Sequence, residues 1–485
     1  MSDGSHPHPR RRFLGQPGSR TALSVGVLAL VACQSSGSPP GPVHVWLTTP
    51  GGAAHLSRQA DLHPTAGGDP DISFEETALL QSIDGFGAAF TDSSASLLWN
   101  GLSPAARDAA MRELFSRPDG IGLAFMRIPM GASDFTACAC SYSYDDAANG
   151  DPALAAFSTA VDDAAVLPVI REALAINPDI KLVANPWSPP AWMKTNGSML
   201  GTAAGQVGTL RADAAAPLGQ YFAAFVQSYR DKGVPIWAVT PQNEPSIAPD
   251  TYPGMNLSAD AEAAFIADHL APALAAAGLT DVKILGGDDI GANLAFAQAL
   301  WSSPAAAALG GTAWHCYAGL ADMSAIHAQH PEQPLYMTEC STGPTGIAGE
   351  TTPQVMTALA NWASGILLWN LALDPTGGPK QGHGCDGCTG LITVDSAAGT
   401  AVPTINHDEL GQFSKFIAPG AHRLSGTVGG GVTALGFLNP DGSLVIVAYN
   451  PGPAAVPVTV GWRTLGTFRY ELPAGATVTF TDAAW

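Results

Sequence analysis

The stretch IWAVTPQNEP, residues 236–245, places a short apolar strand directly before a polar pair, Asn243 and Glu244. It is preceded by the helix-like stretch PLGQYFAAFVQSYRDKG (217–233) and followed by the Ala-rich stretch AEAAFIADHLAPALAAAG (261–278). A strand between two helical stretches is typical of βαβ units, in which a crossover helix lets successive strands pair in parallel. This part of the sequence therefore predicts an α/β fold.

The same alternation of short strands and helical stretches extends along most of the chain. Roughly eight such units over about 320 residues predict a (β/α)8 TIM barrel with loop insertions, which we assign to residues 83–415. The other strand-like stretches are AFMRIPM (124–130), IKLVANPW (180–187), VKILGGDD (282–289), GTAWHCY (311–317), PLYMTEC (334–340) and GILLWNLAL (365–373).

Both flanks of the predicted barrel have a β texture. Residues 43–82 begin with VHVWLTT, and residues 416–485 contain several short β runs, such as SLVIVAYN and AVPVTVGW, separated by Gly, Pro and Asp turns. Short strands with regular turns are typical of an antiparallel sandwich. We therefore predict N-terminal strands over 43–82 and a C-terminal β-sandwich over 416–485.

The N-terminal 42 residues read as an export signal and a tether. Arg10 to Arg12 precede an apolar run that is too short to span a bilayer, so we predict a signal peptide over residues 1–32, which resembles a twin-arginine signal. The ending LVAC resembles a lipoprotein cleavage box, which predicts lipidation of Cys33 and a flexible linker over 33–42. The alternative is an ordinary signal peptide with a chance cysteine. Either way, we expect an exported protein, lipid-anchored at the cell envelope or extracellular, that meets membrane only through its anchor.

Composition limits the classes of function. The chain has 485 residues, of which 46% are hydrophobic, so it can bury a large core. Its formal net charge of −20 argues against nucleic acid as a partner, because phosphate binding needs clustered cations, and it also disfavours anionic substrates. We expect a monomer.

The cysteines allow two interpretations in an oxidising compartment. Cys138, Cys140, Cys385 and Cys388 can form disulfides among themselves in three ways, and the sequence does not choose between them. His383 beside the last two suggests a zinc site instead, but the second half of a structural zinc set is missing.

Polar residues at strand ends are the candidates for chemistry, since a barrel builds its active site at the carboxyl ends of its strands. Glu244 and Glu339 each follow an apolar strand directly, and a pair of carboxylates is what glycoside hydrolysis requires. Aromatic residues at neighbouring ends suit stacking on a sugar ring. The other candidates are Arg127, Asp134, Trp187, Asn243, Asp288, Asp289, His315, Tyr317, Trp369 and Asn370.

Two further motifs are given structural interpretations. Gly85-Phe86-Gly87 lacks the third glycine of a dinucleotide loop and is interpreted as a tight turn at the barrel entrance. The pair Asp288-Asp289 is either a metal or acid site or, as we favour, a cap on the following helix.

Eight motifs follow one another between about Ile83 and Arg423. They are IDGFGAAFTDSSASLL, MRIPMGASDF, NPWSPPAWMKTNGSMLG, WAVTPQNEPS, HCY, MTEC, WNLALDPTGGP and LGQFSKFIAPGAHR. In this order they resemble glycoside hydrolase family 30, the family of lysosomal glucosylceramidase and microbial β-1,6-glucanases.

The resemblance implies a role for each matching position. Glu244 matches the acid/base and Glu339 the nucleophile, at the ends of strands four and seven, and Asn243 matches the residue that binds the sugar 2-hydroxyl. The positions that match the lining of the glycone pocket are Asp134, Trp187 and Trp369. The positions that match residues around the nucleophile are Arg127, His315 and Tyr317.

These roles imply a retaining double displacement on β-glucosidic bonds, as in a glucosylceramidase-like β-glucosidase or a β-1,6-glucanase, with no metal or organic cofactor. The substrate would be a β-glucoside, a glycolipid or a glucan. The pKa of Glu244 should be raised by burial and by the charge of Glu339. The family also has a side β-sandwich built from both chain ends, which fits residues 43–82 and 416–485. The alternatives are a β-xylosidase or xylanase of the same fold, and a lipid-anchored carbohydrate-binding protein without turnover.

Overall fold

The computed structural model of the chain describes residues 41–290, 294–343, 346–382 and 384–483. The predicted signal peptide, the lipidation site Cys33, the linker up to residue 40 and the candidate zinc ligand His383 lie outside these residues. Within the described part of the chain, no helix combines the length and the apolarity that a membrane crossing requires.

Eight parallel strands form one sheet in which neighbours in sequence are neighbours in space. The sheet closes where the first strand meets the second: the amide of Ala124 donates to Phe86 O at 3.0 Å, and the amide of Phe90 donates to Arg127 O at 2.8 Å. The predicted (β/α)8 barrel is confirmed. Its strands are Gly85–Ala88, Phe125–Pro129, Lys181–Asn185, Ala238–Val239, Lys283–Asp289, Leu309–His315, Leu335–Glu339 and Ala363–Leu368.

Each barrel strand is followed by one or more helices that cover its outer face. Several begin at hydroxyl caps, as where Ser103 accepts from the amide of Ala106 just before Pro104, a pair well suited to a helix start. The α-helices are Asp92–Asn100, Pro104–Phe115, Val166–Ile176, Ala215–Asp231, Ala259–Phe265, Ala271–Ala276, Leu294–Trp301, Met323–Gln329, Thr351–Ala360 and Ile405–Ser414, with a π turn at Ile266–Leu270. The 3-10 turns are Ala160–Ala164, Ala191–Met193, Ala212–Ala214, Pro304–Ala307 and Leu320–Asp322.

The barrel interior begins with a layer of apolar side chains, here named the lower layer. Phe125 stacks on Tyr336 across the barrel, with ring centroids 5.5 Å apart, and Trp237 packs edge-on against both rings. Because alternate residues of a strand face the same side, residues two positions further along point into the barrel mouth. The members of the lower layer are Phe125, Val183, Ala238, Leu285, Ala313, Tyr336 and Leu367.

Both chain ends meet in a second, mostly antiparallel sheet, which confirms the accessory β-sandwich. His44–Thr48 pairs with Thr477–Thr481, and Ile72–Ser82 pairs with His422–Val428. The sandwich has its own apolar core, separate from that of the barrel. The other strands of this sheet are Ser57–Arg58, Thr433–Leu438, Leu444–Tyr449, Val456–Gly461 and Thr467–Leu472.

The last barrel helix, Ile405–Ser414, joins the two parts. The side chain of Gln412 donates to the Thr48 hydroxyl at 2.8 Å, and the Thr479 hydroxyl donates to the backbone carbonyl of Gln412 at 2.7 Å. The barrel loops add two small sheets, formed by Ala372–Leu373, Ile392–Asp395 and Thr400–Pro403, and by Thr202–Ala203 and Gln206–Val207.

The interpretation of Gly85-Phe86-Gly87 as a tight turn is wrong, because these residues lie in the first barrel strand. A Cβ on Gly87 would lie 1.7 Å from the carbonyl oxygen of Phe125. The glycine is thus required by the close approach of two backbones where the barrel closes, and the feature that resembled a turn is a packing requirement.

The described residues contain three disulfides: Cys138–Cys140, Cys316–Cys340 and Cys385–Cys388. Of the three pairings open to the four loop cysteines, the structure adopts the local one. The zinc interpretation is wrong for Cys385 and Cys388, because disulfide sulfurs are not thiolate ligands.

Candidate active site

The residues of the barrel mouth stand one layer above the lower layer and form an upper layer of polar and ionisable side chains. Two residues after apolar Phe125 comes Arg127, and two after Ala313 comes His315; both are fully buried. The other members at the same step are Asn185, Thr240, Thr338 and Trp369.

Glu244 and Glu339 meet over this layer. One carboxylate oxygen of each and a ring nitrogen of His315 all lie within 4.8 Å of one another. Retaining glycosidases hold their two carboxyl groups roughly 5 to 5.5 Å apart, whereas inverting enzymes leave room for a water between them. The spacing of the two glutamates therefore fits a retaining enzyme.

Glu339 is held by two donors. Arg127 Nη1 donates to Oε2 at 2.5 Å, and the hydroxyl of Tyr317 donates to Oε1 at 2.9 Å. Hydrogen bonds to an ionised carboxylate favour its charged form, which is the form a nucleophile needs. Burial, together with the charges of Glu339 and Glu244, raises the pKa of Tyr317 well above its ordinary value, so this phenol stays a donor.

Glu244 is in the opposite electrostatic condition. Burial raises the pKa of its carboxyl group, and the charge of Glu339 adds to that rise, while the hydrogen bond from His315 opposes it. Its backbone is left-handed, with φ of +44°, and its amide donates to the carbonyl of Asp288 at 2.9 Å. Such backbone geometry in a residue with a side chain is uncommon and is held here by the surrounding contacts.

Asp288 connects these groups. Its Oδ2 accepts from Arg127 Nη2 at 2.8 Å, and its Oδ1 lies 3.3 Å from His315 Nε2. The hydroxyls of Thr240 and Thr338 donate to it at 2.7 and 2.6 Å. Burial penalises its charge, but Arg127 and His315 outweigh that penalty and lower the pKa of Asp288 well below its ordinary value.

The helix-cap interpretation of Asp288 is therefore wrong, and the reason is a bulge in the fifth barrel strand. Gly287 and Asp288 both have positive φ, +94° and +63°, and the register with the sixth strand shifts there. The buried carboxyl of Glu262 accepts from the Gly287 amide at 2.7 Å and supports the bulge. The next residue, Asp289, has a different partner: its carboxylate accepts from the Ser246 hydroxyl at 2.7 Å.

His315 carries the second positive charge. Its Nδ1 lies 3.1 Å from Glu244 Oε1. Burial opposes the charge, but the carboxylates of Glu339, Asp288 and Glu244 raise the pKa of His315 to about 10. The protonated ring then donates from both nitrogens, one to Glu244 and one to Asp288.

An aromatic wall stands beside the carboxylates. Trp187 and Trp369 stack with centroids 5.2 Å apart and an angle of 21° between their planes, and Tyr252 packs against Trp187 at 5.6 Å. The guanidinium of Arg127 lies 5.4 Å from the Trp369 ring centroid. Flat, amphipathic indoles with one polar edge suit a sugar, which has an apolar face and hydroxyls around its rim.

Asp134 and Asn243 complete the set of predicted site residues. Asp134 accepts from the Cys385 amide at 3.1 Å, and burial, with a further contribution from Glu339, raises its pKa well above the ordinary value. The amide oxygen of Asn243 accepts from Arg127 Nη2 at 2.6 Å. The structure thus brings together the nine predicted residues: Arg127, Asp134, Trp187, Asn243, Glu244, His315, Tyr317, Glu339 and Trp369.

Sequence reasoning named Asp288 as a strand-end candidate but favoured a helix cap for it, and it missed Tyr252 and Thr240 as site residues. Tyr252 lies in a loop with no strand before it, so the strand-end rule had no reason to select it. Thr240 directly follows the strand Ala238–Val239, and its alternation with Ala238 is a signal that could have identified it.

The atoms of Glu244, His315 and Glu339 are close enough together to hold a metal ion. The donor set does not favour this use, since Nδ1 and Nε2 of His315 both face carboxylates and these carboxylates raise the pKa of the ring to about 10. A metal-bound imidazole must be neutral.

The chain matches known proteins over nearly all of its described length. The model of the glycosyl hydrolase family 30 TIM-barrel domain matches residues 83–417, and that of the family's beta sandwich domain matches residues 420–480. An endo-1,6-beta-D-glucanase of Neurospora crassa is 37% identical over 400 residues, which are 78% of this chain and 81% of the relative. The lysosomal acid glucosylceramidase of Mus musculus is 31% identical over 429 residues, 83% of this chain and 81% of the relative.

Solved structures agree. The endo-beta1,6-glucanase BT3312 superposes with a TM-score of 0.81 at 28% identity, covering 92% of this chain and 100% of that one. The catalytic domain of a xylanase from Talaromyces cellulolyticus reaches a TM-score of 0.68 at 22% identity, a likeness that shows the fold alone.

Proposed function

This chain belongs to glycosyl hydrolase family 30 and is a retaining hydrolase of β-glucosidic bonds, and we propose that its substrate is a β-1,6-linked glucan. We further propose Glu339 as the nucleophile and Glu244 as the acid/base. The observation that carries these roles is the approach of the two carboxylates within 4.8 Å at the open end of the barrel.

In the first step Glu339 attacks the anomeric carbon while Glu244 gives its proton to the departing glycosidic oxygen. The donors Arg127 and Tyr317 hold the carboxyl group of Glu339 in position before the attack. Burial raises the pKa of Glu244, which favours the protonated form that this step requires.

In the second step water replaces the sugar on Glu339, with Glu244 now acting as base. Formation of the glycosyl ester removes the negative charge of Glu339, which had helped to raise the pKa of Glu244. His315 remains beside Glu244 and favours its ionised form. The acid of the first step thus becomes the base of the second.

The glucan is favoured over the glycolipid by the relatives. Three curated endo-1,6-beta-D-glucanases are 32 to 37% identical to this chain, and a solved endo-beta1,6-glucanase covers 92% of it. Glucosylceramidases are also similar, at 29 to 32% identity. A panel of β-1,6-glucan, glucosylceramide, laminarin-type glucan, xylan and an aryl β-glucoside tests the choice. Preference for β-1,6-glucan by kcat/KM is expected, and preference for glucosylceramide would overturn it.

The proposed nucleophile is tested by Glu339→Gln. Hydrolysis of an aryl β-glucoside should fall by at least about 10³-fold, because the amide cannot attack the anomeric carbon. Binding of the sugar should persist, since Trp187 and Trp369 are untouched. Unchanged turnover would show that Glu339 is not the nucleophile.

We also propose that the protein is exported and held at the cell envelope by a lipid on Cys33. Support comes only from the sequence of residues 1–33, with its arginine cluster, apolar run and LVAC ending. Cys33→Ser should release the protein into the soluble fraction. Retention of this variant in the membrane fraction would contradict the lipid anchor.

A further inference from the structure

The residue after the proposed nucleophile forms a disulfide. Cys340 follows Glu339 and is joined to Cys316, which itself follows His315. The two strands are parallel neighbours, paired at His315 and Glu339, and the Cys316 amide donates to the carbonyl of Glu339 at 3.0 Å. A covalent link therefore ties together the two strand ends that carry the nucleophile and its imidazole neighbour.

The next residue contacts a second disulfide. The buried hydroxyl of Ser341 lies 3.0 Å from Sγ of Cys388 and 3.6 Å from Sγ of Cys385. Because disulfide sulfurs carry no hydrogen, Ser341 is the donor in this contact. Glu339 is thus followed first by a residue covalently linked to strand six and then by one hydrogen-bonded to the loop after strand eight.

This second disulfide also reaches the opposite side of the pocket. The Cys385 amide donates to the carboxylate of Asp134 at 3.1 Å, and Cys388 packs in one cluster with Trp187 and Trp369. A Cβ on Gly384 would lie 2.8 Å from Cβ of Asp134, so the loop lies close against this residue. The ring closed by Cys385–Cys388 therefore contacts residues placed in the glycone pocket.

We propose that the two disulfides position the reacting groups with separable effects: Cys316–Cys340 fixes Glu339 and acts on kcat, and Cys385–Cys388 fixes Asp134 and acts on KM. The inference rests on the proposed function. The cysteines are positioning residues, because they act through Glu339 and Asp134.

The physical reason is that the reaction tolerates only a small displacement of the nucleophile. A nucleophile must approach the anomeric carbon within a few tenths of an ångström of its productive position, and an error of about 1 Å costs on the order of 10²-fold in rate. Strand seven ends at Glu339, and the interstrand bonding beyond it includes one backbone hydrogen bond, from the Trp369 amide to the carbonyl of Cys340 at 2.9 Å. The Cys316–Cys340 disulfide and the Ser341 contact add a covalent link and a side-chain contact to this backbone bond.

The test compares three double variants. Cys316→Ala/Cys340→Ala should lower kcat roughly 10-fold to 100-fold on an aryl β-glucoside with KM changed less than about 3-fold. Cys385→Ala/Cys388→Ala should raise KM roughly 10-fold with a smaller change in kcat. Cys138→Ala/Cys140→Ala removes an exposed disulfide that contacts neither Ser341 nor Asp134 and is the matched control, with both constants unchanged.

A readout specific to the nucleophile accompanies the kinetics. The rate at which an activated 2-deoxy-2-fluoro-β-glucoside labels Glu339 should fall with kcat in the Cys316/Cys340 variant and stay near the wild-type rate in the control. Loss of thermal stability with kcat, KM and labelling all near wild type would show that the disulfide only stabilises the fold, and would overturn the inference.

If the cysteine variants do not fold, mild reduction of the native enzyme provides the same test. Partial reduction followed by alkylation and mass spectrometry gives the fraction of each disulfide opened, and labelling of Glu339 should fall in proportion to the opening of Cys316–Cys340. Labelling that does not follow the opening of Cys316–Cys340 would overturn the inference. The variant Glu339→Gln distinguishes failure of the proposed function from failure of this inference. If Glu339→Gln keeps its turnover, the proposed function fails. If it is inactive while the disulfide variants are unaffected, only the inference about the disulfides fails.

Discussion

The lower and upper layers of the barrel are built on the same strands and differ completely in chemistry. Phe125 and Arg127 lie two residues apart on one strand, and so do Ala313 and His315. That step of about 6.6 Å leads from a layer of stacked rings and aliphatic side chains to a layer of compensated charges. In a strand that is buried on both faces, the position along the strand therefore decides whether an inward side chain packs in the apolar layer or belongs to the polar site.

The two layers are also stable for different reasons. The lower layer depends on shape and apolar area, so a change there should cost stability in proportion to the volume removed. In the upper layer Arg127 and His315 face the carboxyl groups of Asp288, Glu339 and Glu244, which adjoin this layer. Removal of one charge leaves its partners buried and uncompensated. Mutations should therefore separate the layers by their effect on turnover.

The largest effect in this comparison is expected for Glu244→Ala. Without its proton donor the enzyme should lose on the order of 10³-fold in kcat on a substrate with a poor leaving group. With an activated aryl glucoside, azide should restore part of the rate, because the small anion occupies the space of the carboxylate. Glu332→Ala, at an exposed glutamate, is the control and should show no azide effect. No rescue in Glu244→Ala would count against the acid/base role.

A smaller loss, about 10²-fold in kcat/KM, is expected for Asp288→Asn. The amide keeps the shape, but Thr240 donates to one oxygen of Asp288 and Thr338 to the other, so its single oxygen can replace only one of these two acceptors. It also no longer balances the charges of Arg127 and His315. Steady-state kinetics at a temperature below the melting transition measure the effect. The neighbour Asp289→Asn should lose much less, and equal losses at the two positions would contradict the distinction drawn between them.

The dependence of kcat/KM on pH should show the titration of Glu244. Because burial raises the pKa of Glu244, the group stays protonated above the ordinary glutamate value of about 4.3, and activity should fall as pH rises through the raised pKa. The basic limb of kcat/KM should therefore report this group. In Glu244→Ala with an activated aryl glucoside the limb should disappear, and its persistence there would assign it to another residue.

The smallest effect on turnover is expected from the lower layer. Phe125→Ala should reduce the free energy of unfolding by about 3–5 kcal/mol, since it removes a ring stacked on Tyr336. At a temperature well below the melting transition, kcat should stay within about 3-fold of wild type. Phe125→Leu is the matched control, with a stability loss below about 1.5 kcal/mol. A large loss of kcat in a folded Phe125→Ala would show that the layers are not independent.

The upper layer could be predicted in large part because strand ends are visible in a sequence. Glu339 is the last residue of its strand and Glu244 lies in the loop five residues after Val239, and the structure brings the two together as the strand-end rule requires. Asp288 could not be assigned, because the fifth strand is buried on both faces and gives no alternation, and because a bulge at Gly287 changes which residue points inward. Glycine freedom and bulges are tertiary features that a linear pattern does not show.

The first strand was missed for a related reason. Glycines usually mark turns, but Gly87 lies where Phe125 O leaves no room for a side chain. The Cys316–Cys340 disulfide was also not foreseen, since each of these cysteines lies at a strand end and only the closed barrel shows that the two ends are neighbours. Which residues of two neighbouring strands lie side by side depends on the register between the strands, and the sequence of either strand alone does not determine that register.

The pairing of His44–Thr48 with Thr477–Thr481 has a consequence for how this protein is made. The N-terminal segment leaves the ribosome first, so this early strand emerges long before its partner is synthesised. In the barrel, by contrast, most neighbouring strands follow one another in the chain, the exception being the pairing of Gly85–Ala88 with Ala363–Leu368. The two terminal strands can therefore pair only after the whole chain has been synthesised. Interrupted translation products would carry an unpaired edge strand, the kind of surface by which quality-control proteases and chaperones recognise incomplete proteins.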